Sequence, residues 1–178
     1  IDALEETVSH IARITSDLQD QIMKARMMPI ETVFNRFPRV VRDLANKLGK
    51  DVKLELIGGE TELDRSVIEV IGDPLLHILR NSVDHGLEDP DTREQLGKPR
   101  QGRVLVRAYH QDNHIVIEIR DDGRGIDADK IRKKAVEKEL LTKDQADRLT
   151  DREALQYIFS SGFSTAAEVS EVSGRGVG

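Results

Sequence analysis

Ile115-Val116-Ile117-Glu118-Ile119-Arg120-Asp121-Asp122-Gly123-Arg124-Gly125-Ile126-Asp127 alternates between apolar and polar residues and then breaks into glycines. Isoleucines at 115, 117 and 119 have the two-residue period of a strand that buries one face. Gly123 and Gly125 end it, because glycine reaches backbone angles closed to other residues. The strand therefore delivers Asp121 and Asp122 to a sharp turn. On these residues alone two readings of the turn stay open. Asp-Asp-Gly is an ordinary hairpin signal. Glycine also lets backbone approach a ligand, so a flat, partly apolar group fits on the turn with Asp121 accepting a hydrogen bond from it.

On the N-terminal side, Val104 to Tyr109 reads as a second strand, turned back by Gln111-Asp112-Asn113. The hairpin places Asp121 at a strand end in a mostly antiparallel sheet. On the C-terminal side, Asp127 caps a helix whose Lys130 and Lys134 share one side, either as a solvated basic face or as phosphate ligands. Helical segments continue to about Ser160, followed by Phe159 to Thr165, a polar excursion with the character of a lid. Residues 142–173 are expected to be the least ordered part of the ligand-free domain. Gly174-Arg175-Gly176-Val177-Gly178 is either a flexible tail or a run of backbone amides suited to a phosphate.

Earlier in the chain, Asp73-Pro74 predicts a helix start, with an N-cap acid and proline in the first position. That helix carries Leu75, Leu76, Leu79 and Val83 on its apolar side, while His77, Asn81 and His85 recur every fourth residue on another. Val52, Leu54 and Leu56 alternate as a strand ending at Gly58-Gly59. An amphipathic helix after Pro29 runs to about Leu48, with Val33, Phe34, Phe37, Val40, Val41 and Leu44 on one face and Gly49 as its stop. Residues 1–27 carry a narrow seam of Ile1, Leu4, Val8, Ile11, Leu18 and Ile22, completed by Thr15 and Ala25, which calls for a partner helix. Pro29 breaks that helix and marks a domain boundary, giving 1–28 and 29–178.

At 178 residues the chain suits one domain plus an appendage. Its 33 acidic and 27 basic residues leave a net charge of −6, which argues against nucleic-acid binding by bulk electrostatics. The absence of cysteine excludes disulfides and thiolate metal sites. No apolar run approaches the roughly 18 residues of a membrane span, and no signal-peptide pattern opens the chain. A cytoplasmic fragment of a longer protein, without membrane insertion, is expected.

The helix with His77 and Asn81, the Asp121 to Gly125 turn, the Phe159 to Thr165 segment and the Gly174 to Gly178 run resemble, in order and spacing, the four boxes of the ATPase superfamily shared by histidine kinases, gyrase, Hsp90 and MutL. Met27-Met28-Pro29-Ile30, Asn35-Arg36-Phe37-Pro38-Arg39, Leu79-Arg80-Asn81-Ser82-Val83-Asp84-His85-Gly86, Gly162-Phe163-Ser164-Thr165 and Val172-Ser173-Gly174-Arg175-Gly176-Val177-Gly178 are similar to the CheA family of chemotaxis histidine kinases. The resemblance covers nearly the whole chain.

It implies an α/β sandwich, with a mixed, mostly antiparallel sheet under a layer of helices, an N-terminal bundle helix and a helical ATP lid. It implies ATP and Mg²⁺ as cofactors. Asp121 would accept from the adenine amino group, with Gly123 and Gly125 making room for the ring. Asn81 would coordinate magnesium, with His77, Asp84 and His85 nearby. Lys130 would reach a phosphate, Ser164 belongs to the lid, and Gly174 and Gly176 would wrap the triphosphate.

Hydrolase members of the superfamily resemble one another in a glutamate four residues before the magnesium asparagine; here that position is His77. The resemblance therefore favours phosphoryl transfer to a histidine over transfer to water. The acceptor would lie on a separate phosphotransfer domain of the same kinase, so His10 on the first helix is not the expected acceptor. Residues 1–28 would form part of a dimerisation hairpin facing a homodimer partner. Chemoreceptor and adaptor would bind through domains outside this chain, with a response regulator downstream in two-component signalling. An ATP-driven clamp without kinase activity and a purely structural dimerisation piece are the competing readings.

Overall fold

The computed structural model describes residues 2–160 and Phe163, with side chains from Leu4 onward. It divides into two compact units, Ile1–Arg124 and Gly125–Gly178.

The first unit opens with α1 (Asp2–Ala25), whose seam side chains Leu4, Val8, Ile11, Leu18 and Ile22 are all more than half exposed. Pro29 stops this helix as expected, yet the residues before it are not a plain break. Met27–Pro29 forms β1, paired antiparallel with β3 (Glu62–Asp64). Proline is tolerated there because it occupies the end of an edge strand. The amphipathic segment that follows is two helices, α2 (Glu31–Phe34) and α3 (Phe37–Leu48), with Pro38 in the first turn of α3. Gly49 ends α3 in the left-handed conformation at φ +64°, as its sequence position implied.

The helix assigned to start at Asp73 starts earlier. Helix α4 spans Arg65–Asn81, capped by Asp64, whose carboxylate accepts from the Ser66 N–H at 2.8 Å. Pro74 therefore lies inside the helix, where loss of one backbone bond costs about 3 kcal/mol. Full burial of Leu75, Leu76 and Leu79 contributes about 1.5–3 kcal/mol each. Packing of the C-terminal half thus outweighs the local penalty, and the helix runs through the proline.

Strand β2 (Val52–Ile57) lies parallel to β4 (Gly102–Gln111), which pairs antiparallel with β5 (His114–Asp121). The sheet is mixed, in the order β2-β4-β5. Val104, Val106 and Ala108 point into the core, while Arg103 and Arg107 on the other face pair with Glu55 and Glu118. Against the buried face pack Ile30, Phe34, Phe37, Val41, Leu75, Leu79, Val83 and Leu87 from the helical layer. This is the two-layer α/β sandwich that the sequence implied. Between α4 and β4 the chain also forms a π-helical turn, Ser82–Gly86, and α5 (Pro90–Gln95).

The second unit holds α6 (Ala128–Glu137), α7 (Lys143–Arg148) and α8 (Asp151–Gln156). Asp127 caps α6 by accepting from the Asp129 and Lys130 N–H groups, as its position predicted. Thr142 with Gln145, and Thr150 with Glu153, form reciprocal capping boxes. Ile131, Ala135 and Phe163 make a separate apolar cluster, joined by Leu141, Leu155, Tyr157 and Ile158. No described helix is long and apolar enough to cross a membrane.

Candidate active site

Strand alternation builds the centre of the site. Ile115, Ile117 and Ile119 pack on the core, so Asp121, next in the same parity, stands on the helix-covered side of the sheet. Its register partner on β4 is the fully buried Val104. A carboxylate thus takes the place where the apolar stripe would have continued. Its Oδ1 accepts from the Gly123 N–H at 3.0 Å.

Facing it is Gly86, the last residue of the π turn. A Cβ at 86 would sit 3.2 to 3.3 Å from the Asp121 carboxyl atoms. A Cβ at 123 would sit 2.0 Å from the Gly86 carbonyl oxygen, which accepts from the Arg124 N–H at 2.9 Å. Both glycines keep backbone where side chains would block the carboxylate, and at 123 no other residue fits without moving the π turn. Asp121, Gly123 and Gly86 are therefore brought together.

His77 and Asn81 lie four residues apart within α4 and share one side of it, both exposed. The row does not extend to His85 as the sequence implied. At Ser82 the helix widens, and the Leu87 N–H reaches the Ser82 carbonyl five residues back. This turn takes His85 out of the every-fourth-residue row; its Nε2 lies 3.8 Å from the Asp84 carboxylate. Among the described residues, no three His, Asp or Glu side chains converge to hold a metal ion. Gly125, at φ +71°, and the exposed Lys130 belong to the second unit. Ser164, Gly174 and Gly176 lie outside the described residues.

Two groups that sequence reading did not single out hold the site's backbone. Lys50, just past the end of α3, donates to the Val83, Asp84 and Leu87 carbonyls at 2.8, 2.5 and 2.8 Å. Burial holds its pKa below the ordinary lysine value, against the opposing pull of Asp84.

On the other side of the turn, Arg93 of α5 is 1% exposed and bonds Glu88 at 3.0 Å and Asp122 at 2.9 Å. Lys98 adds bonds to Glu88 and to the Asp122 and Gly123 carbonyls, while the Asp122 Oδ1 accepts from the Arg103 N–H. Asp122 is thus bolted to the scaffold and leaves Asp121 as the carboxylate facing Gly86. A sequence signal for this segment existed. Asp89-Pro90 is the same cap pattern as Asp73-Pro74, and here it does open a helix, with Asp89 accepting from the Thr92 N–H.

Burial pushes the Glu88 carboxyl up, but hydrogen bonding to Lys98 and the charges of Lys98 and Arg93 hold it below the usual glutamate range. With the folded value below the unfolded one, its stabilising contribution is complete above the unfolded pKa of about 4.3 and is lost as pH falls through the folded value. Denaturant midpoints of wild type and Glu88→Gln, measured from pH 7 down to pH 3, are expected to differ at neutral pH and converge in acid. A pH-independent difference would show that ionisation of Glu88 does not contribute.

The model of the histidine kinase-, DNA gyrase B- and HSP90-like ATPases matches residues 71–178. The chain is 53% identical over 175 residues, 98% of its length, to the chemotaxis protein CheA of Bacillus subtilis, and covers 26% of that protein. It is 52% identical over 178 residues to the sensor histidine kinase CheAY of Helicobacter pylori, covering all of this chain and 22% of that one. To the CheA of Halobacterium salinarum it is 44% identical over 178 residues, its whole length, and covers 26% of that protein. The chain thus spans about a quarter of the length of the curated relatives it matches.

Proposed function

From the premise that this chain belongs to the histidine kinase-, DNA gyrase B- and HSP90-like ATPase family, we propose that it is the ATP-binding catalytic module of a chemotaxis histidine kinase. It passes the γ-phosphate of ATP to a histidine on a separate phosphotransfer domain. The relatives named for chemotaxis and for sensor histidine kinase activity support that reading. The observation that carries it is the half-buried Asp121 carboxylate at the end of β5, kept clear of side chains by Gly86 and Gly123.

Asp121 accepts the exocyclic amino group of adenine, while the glycine backbone lets the flat ring lie close. Asn81, with His77 on the same side of α4, faces the phosphates and a magnesium ion. Such an ion is held largely by phosphate oxygens and water, so a single amide with a neighbouring imidazole fits it better than a protein cage would. Magnesium supplies charge neutralisation on the transferring phosphoryl group. Asp84 and His85, in the π turn that follows α4, are the further residues assigned to the site. For Gly125, Lys130, Ser164, Gly174 and Gly176, and for a lid within the second unit, sequence resemblance alone supports the assignment.

Residues 1–28 are assigned to the dimerisation hairpin and 29–178 to the catalytic domain. The exposed seam of α1 supports a second copy of the chain as partner. The phosphotransfer domain, the chemoreceptor and the adaptor are the further partners proposed for the longer cytoplasmic kinase, with the response regulator acting downstream.

Titrating the full-length protein with ATP, with circular dichroism as the folding control, tests the reading. Asp121→Asn is expected to weaken binding by about 2 to 3 kcal/mol, the loss of a charge-assisted hydrogen bond, or roughly 30- to 160-fold in Kd. Wild-type affinity in the variant would remove Asp121 from the site.

A further inference from the structure

We infer that Lys50 is a positioning residue for nucleotide binding, acting through the backbone of the π turn that links Asn81 to Gly86. This rests on the ATP-binding reading above. The turn lies where an α-helix ends, and the carbonyls of a helix end have no N–H of their own. Here five of them, at Ser82, Val83, Asp84, Gly86 and Leu87, find a specific donor. The Ser82 carbonyl accepts from the Leu87 N–H, and the Gly86 carbonyl from the Arg124 N–H, both within the backbone. The carbonyls of Val83, Asp84 and Leu87 all converge on one ammonium group, Lys50 Nζ.

A lysine supplies three N–H donors around a single point, and three acceptors are present. Its positive charge also suits the negative end of the α4 dipole. Lys50 reaches the turn from a backbone that is itself fixed: its own N–H bonds the Ala45 carbonyl at 2.9 Å, just past the left-handed Gly49. Asp84, Glu88 and Asp89 offset its charge, and Arg124 opposes it. The ammonium therefore does not answer one carboxylate; it gathers three peptide groups.

The consequence reaches the ligand side through Gly86. Its carbonyl is the atom that Gly123 lies against and that Arg124 bonds, so the position of the turn sets the opening beside Asp121. Without the ammonium, three carbonyls lose their donor, those of Val83 and Leu87 in partly buried bonds, and the turn relaxes toward water or toward ordinary α geometry. Either change moves Gly86 against Asp121 and rotates the residues after Asn81. Lys50 itself need not touch ATP.

Lys50→Met in the full-length protein removes the donors and keeps the length of the side chain. The expected result is at least a tenfold rise in the Kd for ATP at a temperature where circular dichroism is unchanged. Hydrogen exchange of nucleotide-free protein should accelerate at the Leu87 and Arg124 amides, with the β4 and β5 amides at Val106 and Ile117 still protected. A merely stabilising lysine would lower the melting temperature and leave both readouts as in wild type below it. Lys50→Gln, which keeps two donors without the charge, should fall between wild type and Lys50→Met; it decides the matter should Lys50→Met not fold. Native ATP affinity in the folded variants overturns the inference and leaves the proposed function standing. Failure of the wild-type protein to bind ATP overturns both.

Discussion

Replacing Asn81 by alanine is expected to bring phosphoryl transfer to a supplied phosphotransfer domain close to zero, a loss of about 10²- to 10³-fold if it removes one oriented group at the transferring phosphoryl centre. The reason lies in how little else among the described residues offers itself to a cation at the proposed site. No cage of three His, Asp or Glu exists among the described residues. Asn81 closes α4 beside the π turn, with His77 one turn earlier on the same side of that helix. His77→Glu puts a carboxylate where the hydrolase branches of the superfamily resemble one another in carrying one. If position alone decides the chemistry, free phosphate should rise relative to phosphohistidine, since a carboxylate can act as general base toward water. Both products are measured in parallel on the full-length protein. Wild-type transfer by Asn81→Ala would show that the site is wrongly assigned, whatever the glutamate variant does.

Arg93→Met should cost up to about 3–5 kcal/mol of folding stability, the range for stranding one partner of a buried ion pair, because Glu88 keeps the partly exposed Lys98 as a partner. Arg93 is 1% and Glu88 3% exposed, so solvent does not screen the charge left behind. The same guanidinium also holds the Pro99 carbonyl at 2.7 Å and the Asp122 carboxylate at 2.9 Å. Exposed pairs such as Arg39 with Asp43 belong to a class worth about 0–1 kcal/mol, and Arg39→Met serves as the contrast. Chemical denaturation of the two variants measures the difference. Adding Glu88→Leu to Arg93→Met should recover part of the loss, because the stranded charge goes with it. A cost below about 1 kcal/mol for Arg93→Met would mean that water replaces the network. Because Asp122 directly precedes Gly123, the same variant should also loosen the turn after Asp121.

Much of this protein was determined within short stretches of chain. Isoleucines at 115, 117 and 119 followed by Asp121 dictated both a strand and the side of the sheet on which the carboxylate stands, because strand parity is a local property. Asp127 before α6, Gly49 after α3 and the apolar seam of residues 4–22 were equally legible, since a cap, a left-handed stop and a helical stripe each need only neighbouring residues. Tertiary structure decided what depends on distant partners. Asp73-Pro74 carries the same local signal as Asp89-Pro90, yet α4 runs through the first because Leu75, Leu76 and Leu79 are buried, while the second opens α5. Met27–Pro29 becomes a strand only because Glu62–Asp64 lies beside it. Arg93 meets Asp122 across 29 positions, and Lys50 meets Val83 across 33. Lys50 was the harder of the two to foresee, for its partners are peptide carbonyls, which every residue possesses and no sequence pattern marks.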